Sequence, residues 1–181
     1  MALGVAVSGL SVPPGAGDPL AAVEPEVRRL AQALTARGWR MATAESCTGG
    51  LIAAACTAVA GSSDWFERGL VTYSNAAKTD LLDVPAALID RHGAVSEEVA
   101  LAMAAGALRR SGVDLALAVT GIAGPGGAVP GKPVGTVWLA WARRGVGPAV
   151  AERLQFEGDR GAVRLQTVRR ALQVGLAALH G

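Results

Sequence analysis

The stretch Val113 to Val119 is an almost unbroken apolar run, interrupted only by Asp114 at its start. A strand with one face in water alternates apolar and polar residues. A strand without that alternation is covered on both faces, and this is the signature of a sheet buried between helical layers. The run follows a helical pattern from Ser96 to Arg110, with Glu97 and Glu98 early and two arginines late, as the helix macrodipole favours. It ends in the glycine-rich loop Thr120 to Gly127. A chain built around such a strand must place helices on both sides of it.

The rest of the sequence agrees with that demand. Val27, Leu30, Ala31 and Leu34 fall at helical spacing between Glu24 and Arg37, with Pro25 in the tolerated first turn and Gly38 as the stop. Trp39 to Ala44 reads as a strand and Leu51 to Val59 as an apolar helix. Gly69 to Tyr73 reads as a β-branched strand followed by a helix start with Ser74 or Asn75 as cap. Pro85 to Arg91 predicts a short helix stopped at His92-Gly93. Val134 to Ala142 and Ala149 to Phe156 predict a hairpin across Gly145 to Pro148, and Ala162 to Leu179 a last helix. Helices alternating with strands, then a hairpin, predict one three-layer α/β/α domain with a mixed, mostly parallel sheet over residues 21–181. Residues 1–20, with three prolines and several glycines, are expected to form a flexible N-terminal arm.

Several function classes fall away on composition. At 181 residues the chain suffices for one domain with a real core. No apolar run approaches the roughly 20 residues of a membrane helix. The start of the chain lacks the basic region of a signal peptide, so no membrane partner is expected. A net charge of +2 from scattered residues gives no nucleic-acid footprint. Cys47 and Cys56 form neither a disulfide framework nor a metal-ligand spacing, so neither metal nor cofactor is expected and a reducing cytoplasm is the simplest setting.

Three polar loops follow three predicted strands: Glu45 to Gly50, Tyr73 to Lys78, and Thr120 to Gly127. In open α/β sheets ligands sit beyond the carboxyl ends of parallel strands, where such loops converge. The first loop turns into a helix and aims backbone N–H groups at one spot. It reads equally as a capped turn without chemistry or as a cradle for an anion or oxyanion. The middle loop holds the chain's only tyrosine, its only asparagine, Asn75, and one of its two lysines, against 15 arginines. Lysine alone among these cations can lose its proton when desolvated and act as a base. Both histidines are poorly placed for a Ser-His-Asp triad, and there is no metal-hydrolase motif. What remains is a hydroxyl nucleophile paired with a lysine: Ser46 attacks a carbonyl, Lys78 accepts its proton, and Tyr73 or Thr120 relays a proton or orients the pair. N–H groups near Thr48, Gly49 and Gly50 are expected to hold an oxyanion or phosphate. Cys47 competes as nucleophile, but without a histidine partner a packing role is favoured; Glu45 reads either as a ligand contact or as a loop contact.

Taken together, Ala42-Thr43-Ala44-Glu45-Ser46-Cys47-Thr48-Gly49-Gly50, Ala60-Gly61-Ser62-Ser63, Val71 to Lys78, His92 to Ser96, Thr120-Gly121-Ile122-Ala123-Gly124-Pro125, Lys132 to Val137 and Gly158-Asp159-Arg160 stand in the order of the CinA C-terminal domain family, which the chain resembles from about residue 24 to 179. The resemblance implies a metal-independent serine amidase. Its substrate would be a small nucleotide, nicotinamide mononucleotide, converted with water to nicotinate mononucleotide and ammonia. Ser46 matches the family's nucleophile, Lys78 its lysine, Tyr73 its active-site tyrosine and Thr120 its hydroxyl residue. Substrate contacts are expected from Glu45, Thr48, Gly49, Gly50, Asn75, Gly121, Ile122, Ala123, Gly124 and Arg160, the last as a phosphate ligand. The resemblance also implies a homo-oligomer. Two other readings stand beside it: a nucleotide-binding competence or damage-inducible protein without turnover, and the same mechanism on another amide.

Overall fold

The computed structural model describes residues 19–180. After a 3-10 turn at Pro19–Val23, helix α1 spans Glu24–Thr35 and buries the predicted face of Val27, Leu30, Ala31 and Leu34. Strand β1, Met41–Glu45, is buried along its whole length and leads to the short helix α2, Leu51–Thr57. Strand β2 is Phe66–Val71, and helices α3, Asn75–Leu82, α4, Ala86–His92, and α5, Glu97–Ser111, follow. Strand β3, Leu115–Gly121, is paired with the hairpin β4, Thr136–Arg143, and β5, Val146–Gln155, before helix α6, Arg160–Ala177. The helix starts follow side-chain chemistry: Ser74, Ser96 and Asp159 each accept an N–H in the first turn of the helix they precede.

The sheet order is β2-β1-β3-β4-β5. Strands β1, β2 and β3 pair in parallel, and β4 runs against both β3 and β5. Four of five strands therefore share one direction, a mixed and mostly parallel sheet. The period-2 rule sorts the two faces by size. Met41, Leu115, Leu117, Val119, Val137 and Leu139 project into one core with residues of α1, α2 and α6. Ala44, Ala116, Ala118, Ala140 and Ala142 project into the other, with residues of α3, α4 and α5. An alanine face lets the alanine-rich α5 lie close. At Gly106 the approach reaches its limit, since a Cβ there would run into the Leu82 carbonyl at the end of α3. This close seating of α3 on α5 fixes the helix that carries Lys78.

Most elements begin or end within two or three residues of the sequence expectation, and the differences at β2 and at the hairpin turn bear on the site. Strand β2 starts three residues earlier and stops at Val71, because Phe66 pairs with Met41 across a register shift. Thr72 keeps one ladder bond to Glu45 O (2.8 Å), while the carbonyls of Thr72 and Tyr73 turn toward Lys78. The hairpin turn closes at Arg144-Gly145, so Val146 to Pro148 belong to β5. Residues 1–18, most of the expected N-terminal arm, lie outside the described residues.

Candidate active site

Where β1 ends, Ser46 N–H donates to Val119 O (3.0 Å), which pins Ser46 to the edge of the parallel ladder. Its hydroxyl stays half-buried, and Lys78 Nζ lies 3.2 Å from Oγ. Lys78 stands one turn into α3 and is 1% exposed, with no carboxylate paired to it among the described residues. Its Nζ also meets Thr72 O at 2.9 Å and Tyr73 O at 3.4 Å. Burial disfavours the ammonium and pushes the Lys78 pKa below the ordinary lysine value. A neutral amine has two N–H groups and one lone pair. In that neutral form, with the two carbonyls accepting the N–H groups, the lone pair would face the Ser46 hydroxyl.

The carboxylate of Glu45 does not face the cleft. It is fully buried and accepts five hydrogen bonds: Thr43 Oγ1 (3.1 Å) and Ala53 N (2.8 Å) on Oε1, and Thr48 Oγ1 (2.7 Å), Gly50 N (3.0 Å) and Ile52 N (3.0 Å) on Oε2. The side chain at the strand end thus caps α2 from below and clamps the turn that carries Ser46. The expectation of Glu45 as a ligand contact is corrected accordingly. So is the N–H cradle at Gly49 and Gly50: Gly49 N–H donates to Ser46 O (3.1 Å) and Gly50 N–H to Glu45. The Thr48 hydroxyl is likewise committed to Glu45. Both glycines have positive φ (60° and 96°), which the sharp turn requires and other residues adopt only with strain. Among the described residues, the N–H groups of this turn that donate to no oxygen are those of Cys47 and Thr48, which lie against the Cys47 sulfur.

Burial raises the Cys47 thiol to about 12 and pushes Cys56 up as well, so the helix start does not activate Cys47. The packing role expected for Cys47 agrees with this.

The second glycine-rich loop is more constrained than its composition suggests. Thr120 is buried and its hydroxyl donates to Ala94 O (2.7 Å), tying the end of β3 to the loop before α5. Gly121 pairs with Val137, Ile122 exchanges both backbone bonds with Thr136 and Gly135, and Ala123 is buried in the core. Of the loop residues expected to touch substrate, Gly124 is the one joined to another site residue. Its carbonyl accepts from Arg160 Nη1 (2.8 Å), while Arg160 Nη2 donates to Tyr73 Oη (3.1 Å). Arg160 thus links the loop after β3, the loop after β2 and the start of α6. Tyr73 is 61% exposed at the cleft edge, and Asn75 is exposed on the first turn of α3 with no side-chain hydrogen bond. Sequence reasoning missed Arg164, whose Nη2 donates to Thr48 O (2.7 Å). The sequence expectation left Arg160 just ahead of the last helix; the observed helix starts at Arg160 and puts Arg164, four residues on, on the same face.

Fold and site together define an open α/β protein with a buried lysine against a serine at the carboxyl edge of its parallel strands. The CinA C-terminal domain model matches residues 24–179, and the chain belongs to that family. Among its relatives, nicotinamide-nucleotide amidohydrolase PncC of Pseudomonas putida is 58% identical over 145 residues, covering 80% of this chain and 89% of that protein. A CinA-like protein of Citrifermentans bemidjiense is 60% identical over 144 residues, which make up 80% of this chain and 34% of the longer relative. The crystal structure of competence/damage inducible protein CihA from Agrobacterium tumefaciens is similar with a TM-score of 0.83 at 46% identity, covering 95% of this chain and 100% of that one.

Proposed function

We propose that this chain hydrolyses the carboxamide of nicotinamide mononucleotide, giving nicotinate mononucleotide and ammonia, through an acyl-enzyme on Ser46. The observation that carries the reading is the 3.2 Å contact between Ser46 Oγ and a desolvated Lys78 Nζ. The names of relatives such as the Pseudomonas putida amidohydrolase supply the substrate. Lys78, neutral, takes the Ser46 proton as Oγ bonds to the carboxamide carbon. The tetrahedral oxyanion forms beside the turn that carries Ser46, where backbone donors would stabilise it. The Lys78 ammonium returns its proton to the departing nitrogen, the C–N bond breaks and ammonia leaves. Water then adds to the ester carbonyl while Lys78 accepts its proton. Collapse of that adduct breaks the C–Oγ bond, Lys78 reprotonates Ser46, and the carboxylate is released.

Two lesser expectations accompany the reading. Both cysteines are free and buried, and no helix of the described residues is long and apolar enough to cross a membrane, in keeping with a reducing cytoplasm. A homo-oligomer is the second expectation, carried by the family resemblance alone. The decisive assay is ammonia release from nicotinamide mononucleotide by the purified protein and by Ser46→Ala. We expect release by the first and a loss of at least about 10³-fold in the second. No release by the unsubstituted protein would overturn the substrate, and undiminished release by Ser46→Ala would overturn the mechanism.

A further inference from the structure

Arg164 has work left over. Its Nη2 holds the Thr48 carbonyl, yet its Nε is buried with no acceptor among the described residues, and no acceptor reaches its Nη1. An unpartnered buried guanidinium donor is costly and needs an explanation. Arg164 and Arg160 stand four residues apart on α6, hence on one face and about 6 Å apart along the axis. Among the described residues neither is paired with a carboxylate; both spend their bonds on neutral oxygens, Thr48 O for Arg164 and Gly124 O and Tyr73 Oη for Arg160. Elsewhere on the same helix Arg169 and Arg170 are paired with Glu26 and Glu152. The nearest acid in sequence, Asp159, is turned to cap the helix and accepts Ala162 N–H at 2.8 Å. The two unpaired arginines flank the cleft from α6: one grips the nucleophile turn, the other the loops after β2 and β3.

We infer that Arg160 and Arg164 form a two-arginine subsite for a phosphate monoester dianion, the 5′-phosphate of the nucleotide on the reading above, on which this inference rests. Guanidinium groups suit phosphate because each offers parallel N–H donors to its oxygens. The helix terminus itself is not the ligand, since Asp159 already occupies it. Arg164 adds a second consequence. Because the same guanidinium holds Thr48 O, phosphate and the Ser46 turn are connected through one side chain, and a bound phosphate would stiffen the turn that carries the nucleophile.

The test compares nicotinamide mononucleotide with nicotinamide riboside, which lacks the phosphate. Binding is measured by calorimetry on the Ser46→Ala protein, so turnover is not needed. Loss of one charge-assisted contact corresponds to about 10- to 100-fold in affinity. Adding Arg164→Gln should weaken the nucleotide by at least 10-fold more than the riboside, with Arg160→Gln doing the same and Arg164→Lys recovering part of the loss. Should Arg164→Gln not fold, the Arg164→Lys and Arg160→Gln proteins carry the comparison. Equal weakening of both ligands would overturn the subsite and leave Arg164 as a strut for the turn. Equal affinity for nucleotide and riboside before any arginine is changed would overturn it whatever the ammonia assay gives. Absence of ammonia release alongside preferential nucleotide binding would refute the amidase reading and support the subsite.

Discussion

Replacing Glu45 by glutamine tests whether the nucleophile turn is held from beneath. The substitution keeps shape and volume but converts one acceptor oxygen into a donor. The least costly orientation puts the amide nitrogen at Oε1, where Thr43 Oγ1 can rotate and accept from it, but Ala53 N–H then faces a donor. One buried unsatisfied N–H costs about 1–3 kcal/mol. The three bonds kept at the other oxygen, from Thr48 Oγ1, Gly50 N and Ile52 N, change from charged to neutral acceptance and lose on the order of 0.5–1 kcal/mol each. The sum is about 2.5–6 kcal/mol out of the roughly 5–15 that a domain possesses. Thermal unfolding should move down by roughly 5–24 °C for a chain of this size. Urea titration should show a lower midpoint at unchanged slope, and ammonia release should fall because Ser46 begins the same turn. A shift under about 3 °C with full activity would refute the clamp.

Desolvation of Lys78 predicts a kcat/KM that rises with pH through its lowered pKa, since the proposed base is the neutral amine; a profile flat or falling there would contradict it. The same shift sets a stability trend. Between the lowered value and the ordinary one the unfolded chain binds the extra proton, so stability should rise with pH across that window, and substitution of Lys78 by Met should abolish the trend in denaturant titrations. Gly106→Ala should cost at least about 2–3 kcal/mol by driving a methyl into the Leu82 carbonyl, and should impair turnover by displacing α3; unfolding midpoints check this. Iodoacetamide at pH 8 should leave both thiols of the folded protein unmodified, because Cys47 is buried and raised to about 12 and Cys56 is buried as well; mass spectrometry with an unfolded control reads the result.

Much of the fold could be read from local chemistry. The uninterrupted run before Thr120 required two covered faces, and Ser74 and Ser96 marked helix starts that the structure keeps. The pairing of Ser46 with Lys78 was legible because lysine is so scarce in this chain and both residues follow predicted strands. The parts that escaped depend on tertiary direction. A carboxylate at a strand end looks like a ligand contact until α2 folds back and brings the Gly50, Ile52 and Ala53 N–H groups onto Glu45. That closure also consumes the glycine N–H groups that composition suggested were free. In the loop after β3, Gly121 and Ile122 resemble an open cradle in sequence but continue the ladder to the start of β4. Arg164 went unnoticed because its partner, Thr48 O, is a backbone atom 116 residues away.

The account rests on a lysine that is neutral when it meets Ser46, and the chain's two lysines make that state directly observable. Carbon-13 labelling at lysine Cε gives two resonances, and the one missing from Lys78→Arg belongs to Lys78. Followed through a pH titration, that resonance should show its transition clearly below the ordinary lysine range. A transition within the ordinary range would leave Ser46 without its base and contradict the mechanism.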